Sequence, residues 1–236
     1  MKKLDYLVIG AQKGGTTSAI RHLNQHPDIF IFGRELHFFD SQSFNGDYKK
    51  YHKNFPDDKI IGEKTPSYCY LQYAIDRIYE YNPDIKLVLF LRDPVKRAFS
   101  EWNMHRRMNM KQDFLESVKE IEDVPLSDIK KNGYWVLQRG LYIDHIEYIL
   151  SKFKRENLYV GISEKIKKNP LEEYNNVFEF LGLPKLDYIG FTESINRSKY
   201  ERPMTEDEKN YMKDKYRDKS KKLFDFLGYE IEEWDL

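Results

Sequence analysis

Tyr6-Leu-Val-Ile-Gly-Ala-Gln12-Lys13-Gly-Gly-Thr-Thr-Ser18 decides the reading of this chain, because an apolar strand runs straight into a lysine-bearing glycine loop that opens a helix. Gly14 and Gly15 allow a closeness of approach that a Cβ would block, so successive N–H groups can turn toward an anion at a helix N-terminus. Thr16, Thr17 and Ser18 add hydroxyl donors and are expected to cap the helix. Lys13 precedes the glycine pair, whereas a Walker A loop carries Gly-Lys-[Ser/Thr] after its second glycine. The segment therefore predicts a phosphate cradle without that motif's dedicated Mg²⁺ ligand. An ordinary glycine turn ahead of a helix is the plain alternative.

Bulk properties narrow the classes. A chain of 236 residues fits a single domain, 1–236, with a full core. Its 39 Lys and Arg balance 39 Asp and Glu, so no global field draws it to nucleic acid or an anionic membrane, and any anion site must be local. No apolar run approaches the ~20 residues that span a bilayer, and the N-terminus lacks a signal peptide's apolar core. The expected location is the cytoplasm. Cys69 is the one cysteine, which rules out an intramolecular disulfide and, set between Tyr68 and Tyr70, reads as structural. Aromatic residues make up 15% of the chain, which suits either a saccharide-stacking surface or aromatic core filling.

Outward from the loop, strand-like runs recur at Leu4 to Ile9, Lys86 to Leu91 and Leu158 to Ile162, with weaker ones at Ile29 to Phe32 and Lys59 to Gly62. Helical patterns cover Thr16 to Gln25, Tyr70 to Tyr81, Pro94 to Asn109, Asp113 to Glu120, Arg139 to Lys154, Leu171 to Leu181 and Thr205 to Leu227. This alternation predicts an α/β fold, a P-loop-like parallel sheet flanked by helices, with ligands beyond the carboxyl ends of its strands. Lys185 to Glu201 has no clear period and reads as an ordered loop.

A second strand-to-helix junction, Val88-Leu-Phe-Leu-Arg92-Asp-Pro-Val-Lys-Arg-Ala-Phe-Ser100, places Arg92 at a strand end, Asp93 as a cap and Pro94 in the first helical turn. Arg92 and Ser100, flanked by Lys96 and Arg97, suit a second phosphate, although Arg92 could equally pair with a carboxylate. Between the two junctions lie Gly33-Arg-Glu35-Leu-His37-Phe-Phe-Asp40 and Gly62-Glu-Lys64-Thr-Pro-Ser-Tyr68. In an extended segment Glu35 and His37 would share a face as two candidate bases. His37 reads better as a packed ring orienting Glu35, Asp40 as a brace, and Lys64 as either a crevice cation or a surface lysine. Trp102, Asn103, His105 and Arg106 are expected to line the cleft.

Taken in order, these segments resemble the PAPS-dependent sulfotransferases, especially the carbohydrate branch with the heparan sulfate N- and O-sulfotransferases. Gln12 to Ser18 looks like that family's 5′-phosphosulfate loop and Arg92 to Ser100 its 3′-phosphate element. Arg139-Gly-Leu-Tyr142, Glu164 and Phe180-Leu-Gly-Leu-Pro184 follow its order. The resemblance implies that Lys13 contacts the transferring sulfuryl group, that Gln12 and Gly14, Gly15, Thr16, Thr17 and Ser18 hold the 5′-phosphate, and that Arg92 and Ser100 bind the 3′-phosphate. It makes Glu35 the catalytic base, with Lys64 and Asp40 in its acceptor-side support positions, and matches the late PAPS-binding loop to Asn196-Arg197-Ser-Lys199-Tyr-Glu-Arg202; His37 joins Glu35, Lys13 and Lys64 as a catalytic candidate from its own place beside Glu35. Golgi members carry a membrane anchor and commonly a disulfide, and neither is seen here. The implied reaction moves a sulfuryl group from PAPS to a hydroxyl or amine, on a saccharide acceptor, releasing PAP and needing no metal. A P-loop kinase-like phosphotransferase and a non-catalytic nucleotide-binding module are the alternatives.

Overall fold

The strands are buried on both faces because their side chains alternate between two helical layers. In the computed structural model, which describes residues 2–53, 55–131, 133–190 and 200–236, five parallel strands stand in the order β2-β3-β1-β4-β5. They are β1 (Tyr6–Gly10), β2 (Ile29–Ile31), β3 (Ile60–Lys64), β4 (Lys86–Leu91) and β5 (Leu158–Ile162). The helices are α1 (Thr16–Leu23), α2 (Tyr48–His52), α3 (Gln72–Tyr81), α4 (Pro94–Arg106), α5 (Phe114–Lys119), α6 (Tyr142–Leu150), α7 (Ser163–Lys168), α8 (Pro170–Leu181) and α9 (Glu206–Leu227).

Leu7, Ile9, Leu87, Leu89 and Leu91 face a core shared with α3, α6 and the end of α9. Tyr6, Val8, Val88 and Phe90, one residue out of phase, face α1 and α8. Such two-sided burial is why parallel strands read as continuous apolar runs rather than as alternating ones. A third cluster, Phe99, Trp102, Phe114, Met212 and Tyr216 among others, joins α4, α5 and α9 outside the sheet.

The expected alternation of strands and helices holds, with shifts at the ends of elements. α1 stops at Leu23 and α4 at Arg106, short of Gln25 and Asn109; Asn109 takes a left-handed φ of 73° that no helix continues. The helix expected from Arg139 begins at Tyr142 after a single 3₁₀ turn, Gln138–Gly140. α2 and α7 are too short to show a helical period and were not foreseen. α9 opens at Glu206 on a capping box, in which Thr205 accepts from the Glu208 N–H. The described ends of the Lys185 to Glu201 segment carry neither helix nor strand. No helix among the described residues is long and apolar enough to cross a membrane.

Chain order puts β1 in the middle, with β3 on one side and β4 on the other. The connection from β1 runs to one side, toward β2, and that from β4 to the other, toward β5, which opens a crevice between them at the carboxyl edge where α/β sheets take ligands. Leu87 lies fully buried in β4, so Leu87→Ala should cost about 2–5 kcal/mol, read as a lower urea midpoint with an unchanged slope.

Candidate active site

The glycine loop is held against β4. Ala11 N–H donates to the Phe90 carbonyl at 2.8 Å, and Gly14 N–H donates to the Ala11 carbonyl at 2.8 Å. A Cβ on Gly14 would lie 2.4 Å from the Phe90 oxygen and 2.9 Å from the Ala11 oxygen, so only glycine fits. Gly15 turns left-handed at φ 90° and starts α1 without a side-chain cap. The expectation that Thr16, Thr17 and Ser18 cap this helix is therefore corrected: they occupy its first turn, and Gly15 stands in the cap position. The first-turn N–H groups of an α-helix lack an i−4 acceptor; here the Ser18 N–H turns back to the Gly15 carbonyl at 3.0 Å, and Gly15 has no side chain to cap Thr16 and Thr17. Ser163 Oγ, at the start of α7, donates to the Gly14 carbonyl and closes the loop from the far side.

Cations gather around this loop. Arg92 Nη1 reaches the Lys13 carbonyl at 3.4 Å, while Arg92 Nε is buried without a hydrogen-bond partner among the described residues. Burial pushes the Lys13 ammonium below the usual lysine pKa, opposed by Tyr200 and reinforced by Arg107 and Arg92. Lys167 of α7 is lowered in the same way, by burial and then by Arg92. Ammonium groups destabilised by burial and by each other gain most from an anion. Beside them Arg92, Lys96, Phe99, Tyr200 and Met204 line a cavity of about 250 Å³. Ser100 is buried on α4, and although burial raises the Tyr200 phenol, hydrogen bonds with Ser100 and Arg92 bring it below its ordinary value.

Several expected neighbours lie elsewhere. Arg97, fully buried, turns into the core and pairs with Glu101 at 2.5 Å, so it does not flank the anion site. Asp93 caps α4 by accepting from the Val95 and Lys96 N–H groups at 2.9 and 3.1 Å. Trp102 and Asn103 are buried in helix packing rather than lining a cleft, His105 leans on Glu101 at 3.5 Å, and Arg106 pairs with Glu201 at 3.1 Å. Arg197 and Lys199 lie outside the described residues.

A second cluster forms where β3 ends beside β1, Lys64 standing opposite Val8. Lys64 Nζ lies 2.6 Å from Glu35 Oε1 and is almost wholly buried, which removes the surface-lysine reading. His37 Nε2 lies 3.2 Å from Glu35 Oε2, and its Nδ1 lies 2.9 Å from Asp40 Oδ2. Asp40, fully buried, also accepts from Ser67 Oγ at 2.5 Å and pairs with Lys131 at 3.0 Å. Glu35 and His37 do meet, yet not along an extended strand: His37 is left-handed at φ 53°. The turn is held because Thr65 Oγ1 accepts the His37 N–H at 3.3 Å and Tyr68 OH accepts the Phe38 and Phe39 N–H groups at 3.0 and 3.2 Å.

Charge follows from these contacts. Burial alone would raise the Glu35 carboxyl, but hydrogen bonds from His37 and Lys64 carry it below the usual carboxylate value. Hydrogen bonds to Asp40 and Glu35 raise His37 to about 9, so near neutral pH the ring is an imidazolium with both N–H groups engaged. Of the two candidate bases, only Glu35 has a free lone pair in that state.

Sequence reasoning did not single out Lys131, Lys167 or Ser163: Lys131 lies in no glycine loop or junction, and Ser163 and Lys167, on the helix that follows β5, carry no glycine motif; Tyr200 fell inside the late loop without a role of its own. Cys69 is buried, as expected of a structural thiol.

A family model described as Sulfotransferase domain matches residues 3–222. Human heparan sulfate glucosamine 3-O-sulfotransferase 3B1 is 31% identical over 194 residues, which cover 76% of this chain and 46% of that protein. Human heparan sulfate glucosamine 3-O-sulfotransferase 5 is 29% identical over 184 residues, 75% of this chain and 53% of that one. The chain thus spans about half the length of the curated relatives it matches. A solved sulfotransferase from Alicyclobacillus acidocaldarius shares the fold, with a TM-score of 0.82 over 100% of both chains at 24% identity. A mouse sulfotransferase complexed with PAP gives 0.51 over 79% of this chain and 62% of that one, at 16% identity.

The His37 contacts make a stability prediction. Its folded-state pKa of about 9 stands above the ordinary 6.5, so its contribution is complete below pH 6.5 and disappears as pH rises through 9. His37→Asn should lower the melting temperature most near pH 6 and least near pH 9.5. An unfolding difference that does not change across that window would mean the ring is not held as a cation.

Proposed function

The chain belongs to the sulfotransferase domain family, and on that footing we propose that it transfers a sulfuryl group from PAPS to a hydroxyl of a saccharide. The observation that carries this reading is one sheet edge holding two opposed devices. One is a cation-rich glycine cradle with a buried Arg92 Nε that has no partner among the described residues; the other is an ionised carboxylate, Glu35, fixed by a lysine and an imidazolium. The heparan sulfate acceptors in the relatives' names support a sugar hydroxyl. The even overall charge of this chain argues for a less anionic acceptor than that polymer.

The donor supplies an activated sulfuryl group on a phosphate leaving group. The cradle suits such an anion: the Gly14 site has no room for a Cβ, Gly15 offers no side chain to cap the Thr16 and Thr17 N–H groups, and Arg92 and Ser100 stand one strand away for a second phosphate. Glu35 takes the proton of the acceptor hydroxyl as its oxygen bonds to sulfur and the bond from sulfur to the phosphate oxygen breaks. Its low pKa keeps it ionised before reaction, and the transfer becomes favourable as the acceptor oxygen grows acidic in the transition state. Lys13 offsets the charge that develops on the departing phosphate oxygen, and the fixed amides add preorganised electrostatic stabilisation. Lys64 and His37 aim Glu35 while Asp40 holds His37. Asp93, with Oδ1 capping α4 and Oδ2 paired with Lys96 at 2.9 Å, is not free to act as the Walker B ligand that a kinase-like reading needs.

Three expected outcomes test the proposal. PAP should raise the melting temperature without divalent metal, with about 2.7 kcal/mol of linkage at a hundredfold excess over Kd; a shift only with Mg-ATP would favour the phosphotransferase. Arg92→Ala should cost about 1.5–3 kcal/mol of PAP affinity, measured by calorimetry, whereas Lys13→Ala should depress turnover as well. Glu35→Gln should keep PAP affinity and lose about 10²-fold or more in kcat. Near-normal turnover in that variant would remove Glu35 as the base.

A further inference from the structure

The cradle and the Glu35 cluster come from different strands, and one segment outside the sheet reaches both. Arg139, buried in the 3₁₀ turn before α6, donates through Nη1 to Gln12 Oε1 at 2.5 Å. The same nitrogen donates to Glu101, and Nη2 donates to the Gly133 carbonyl at 3.0 Å. Its guanidinium lies 4.4 Å over the Tyr70 ring. Gln12 immediately precedes Lys13, whose backbone is left-handed at φ 68°. Eight residues earlier in the same stretch, Lys131 pairs with Asp40 at 3.0 Å, and Asp40 in turn holds His37.

Between these two cations the stretch is anchored in the outer core. Tyr216 OH donates to the Val136 and Leu137 carbonyls at 3.2 and 2.9 Å, and Arg97 Nη2 donates to the Val136 carbonyl. Trp135 Nε1 donates to the Lys130 carbonyl at 2.7 Å. Burial would raise the Glu101 carboxyl, but Arg139 and Arg97 hold it well below the usual range, so both guanidinium groups stay fixed by one ionised partner.

The geometry points to Lys131 and residues 133–139 as a positioning strap: Arg139 sets the glycine cradle through Gln12, and Lys131 sets the Glu35 cluster through Asp40. Neither cation need touch donor or acceptor. A planar guanidinium fixed on three sides cannot be matched by an ammonium, so Arg139→Lys should release Gln12. Gln12→Met breaks the same contact and leaves the Arg139 pair with Glu101 intact, which keeps the test usable if Arg139→Lys does not fold. The charged groups that bear on His37 are Asp40, Glu35 and Lys131, with Lys64 reaching Glu35 and Glu63 lying farther off. Lys131 opposes the imidazolium, and its loss should leave His37 harder to deprotonate.

The kinetic arm of the test rests on the sulfuryl-transfer reading; the other two arms use the protein without nucleotide. Amide exchange by NMR at Gly14 and Ser18, whose N–H groups are hydrogen-bonded within the loop, should quicken by tenfold or more in Gln12→Met and in Arg139→Lys, with the β4 amides unchanged. The double variant should be no faster than the faster single one. In Lys131→Met the His37 titration should move up from about 9, the Gly14 and Ser18 amides should exchange at the wild-type rate, and kcat should fall severalfold with PAP affinity kept. Wild-type exchange in both cradle variants, acceleration throughout the protein, or an unmoved His37 titration would overturn the strap. If exchange and titration behave as expected while the wild-type protein turns over no PAPS, the strap stands and the sulfuryl-transfer reading falls.

Discussion

The approach of Gly14 to the carbonyl of Phe90 is the constraint on which the rest of the site depends. It places a turn of backbone where any side chain would collide, so the loop after β1 lies across the end of β4 instead of passing above it. The Thr16 and Thr17 amides at the start of α1 and the guanidinium of Arg92 then share one crevice. Arg92 reaches the Lys13 carbonyl because that crevice is narrow. Moving the loop outward would part the cradle from its second cation and weaken the burial, and with it the nearby positive charge, that together depress Lys13 and Lys167.

Charge is arranged differently on the two sides of β1. Around the cradle, cations face one another with little to balance them, which raises the free energy of the empty site and favours an anion. Around Glu35 every charge has a partner: Lys64 with Glu35, His37 between Glu35 and Asp40, and Lys131 on the far side of Asp40. The first arrangement suits binding, the second a fixed orientation. A chain that is neutral overall can therefore gather positive charge at one local site.

The buried group of Arg97, Glu101 and Arg139 serves geometry more than stability. Desolvating three ionised side chains offsets much of their mutual attraction. Their distinct effect is to fix Arg139, a hydrogen-bond partner of the cradle, to α4, the helix that begins just after Arg92 and carries Ser100.

Short-range physics made much of this legible from sequence. The apolar runs, the glycine pair, the Asp93-Pro94 helix start and the Thr205 cap each express a local rule, so the parallel α/β fold and the positions of Lys13, Gly14, Gly15, Arg92 and Ser100 could be read without coordinates. Glu35, His37 and Lys64 were also named, although the sequence favoured an extended Glu35 segment, and only the hydrogen bonds from Thr65 and Tyr68 explain its left-handed turn. Arg97 was expected to flank Ser100 at the anion site because helical spacing does not say which face the core takes. Packing against α9 turned it inward. Lys131, Lys167 and Tyr200 join the site only through contacts between residues far apart in the chain, and no local pattern encodes those. Sequence by itself determined which segments can cradle an anion and which strands must be buried. Tertiary structure alone decided which charges meet, because that depends on the order of the strands and the packing of helices against them.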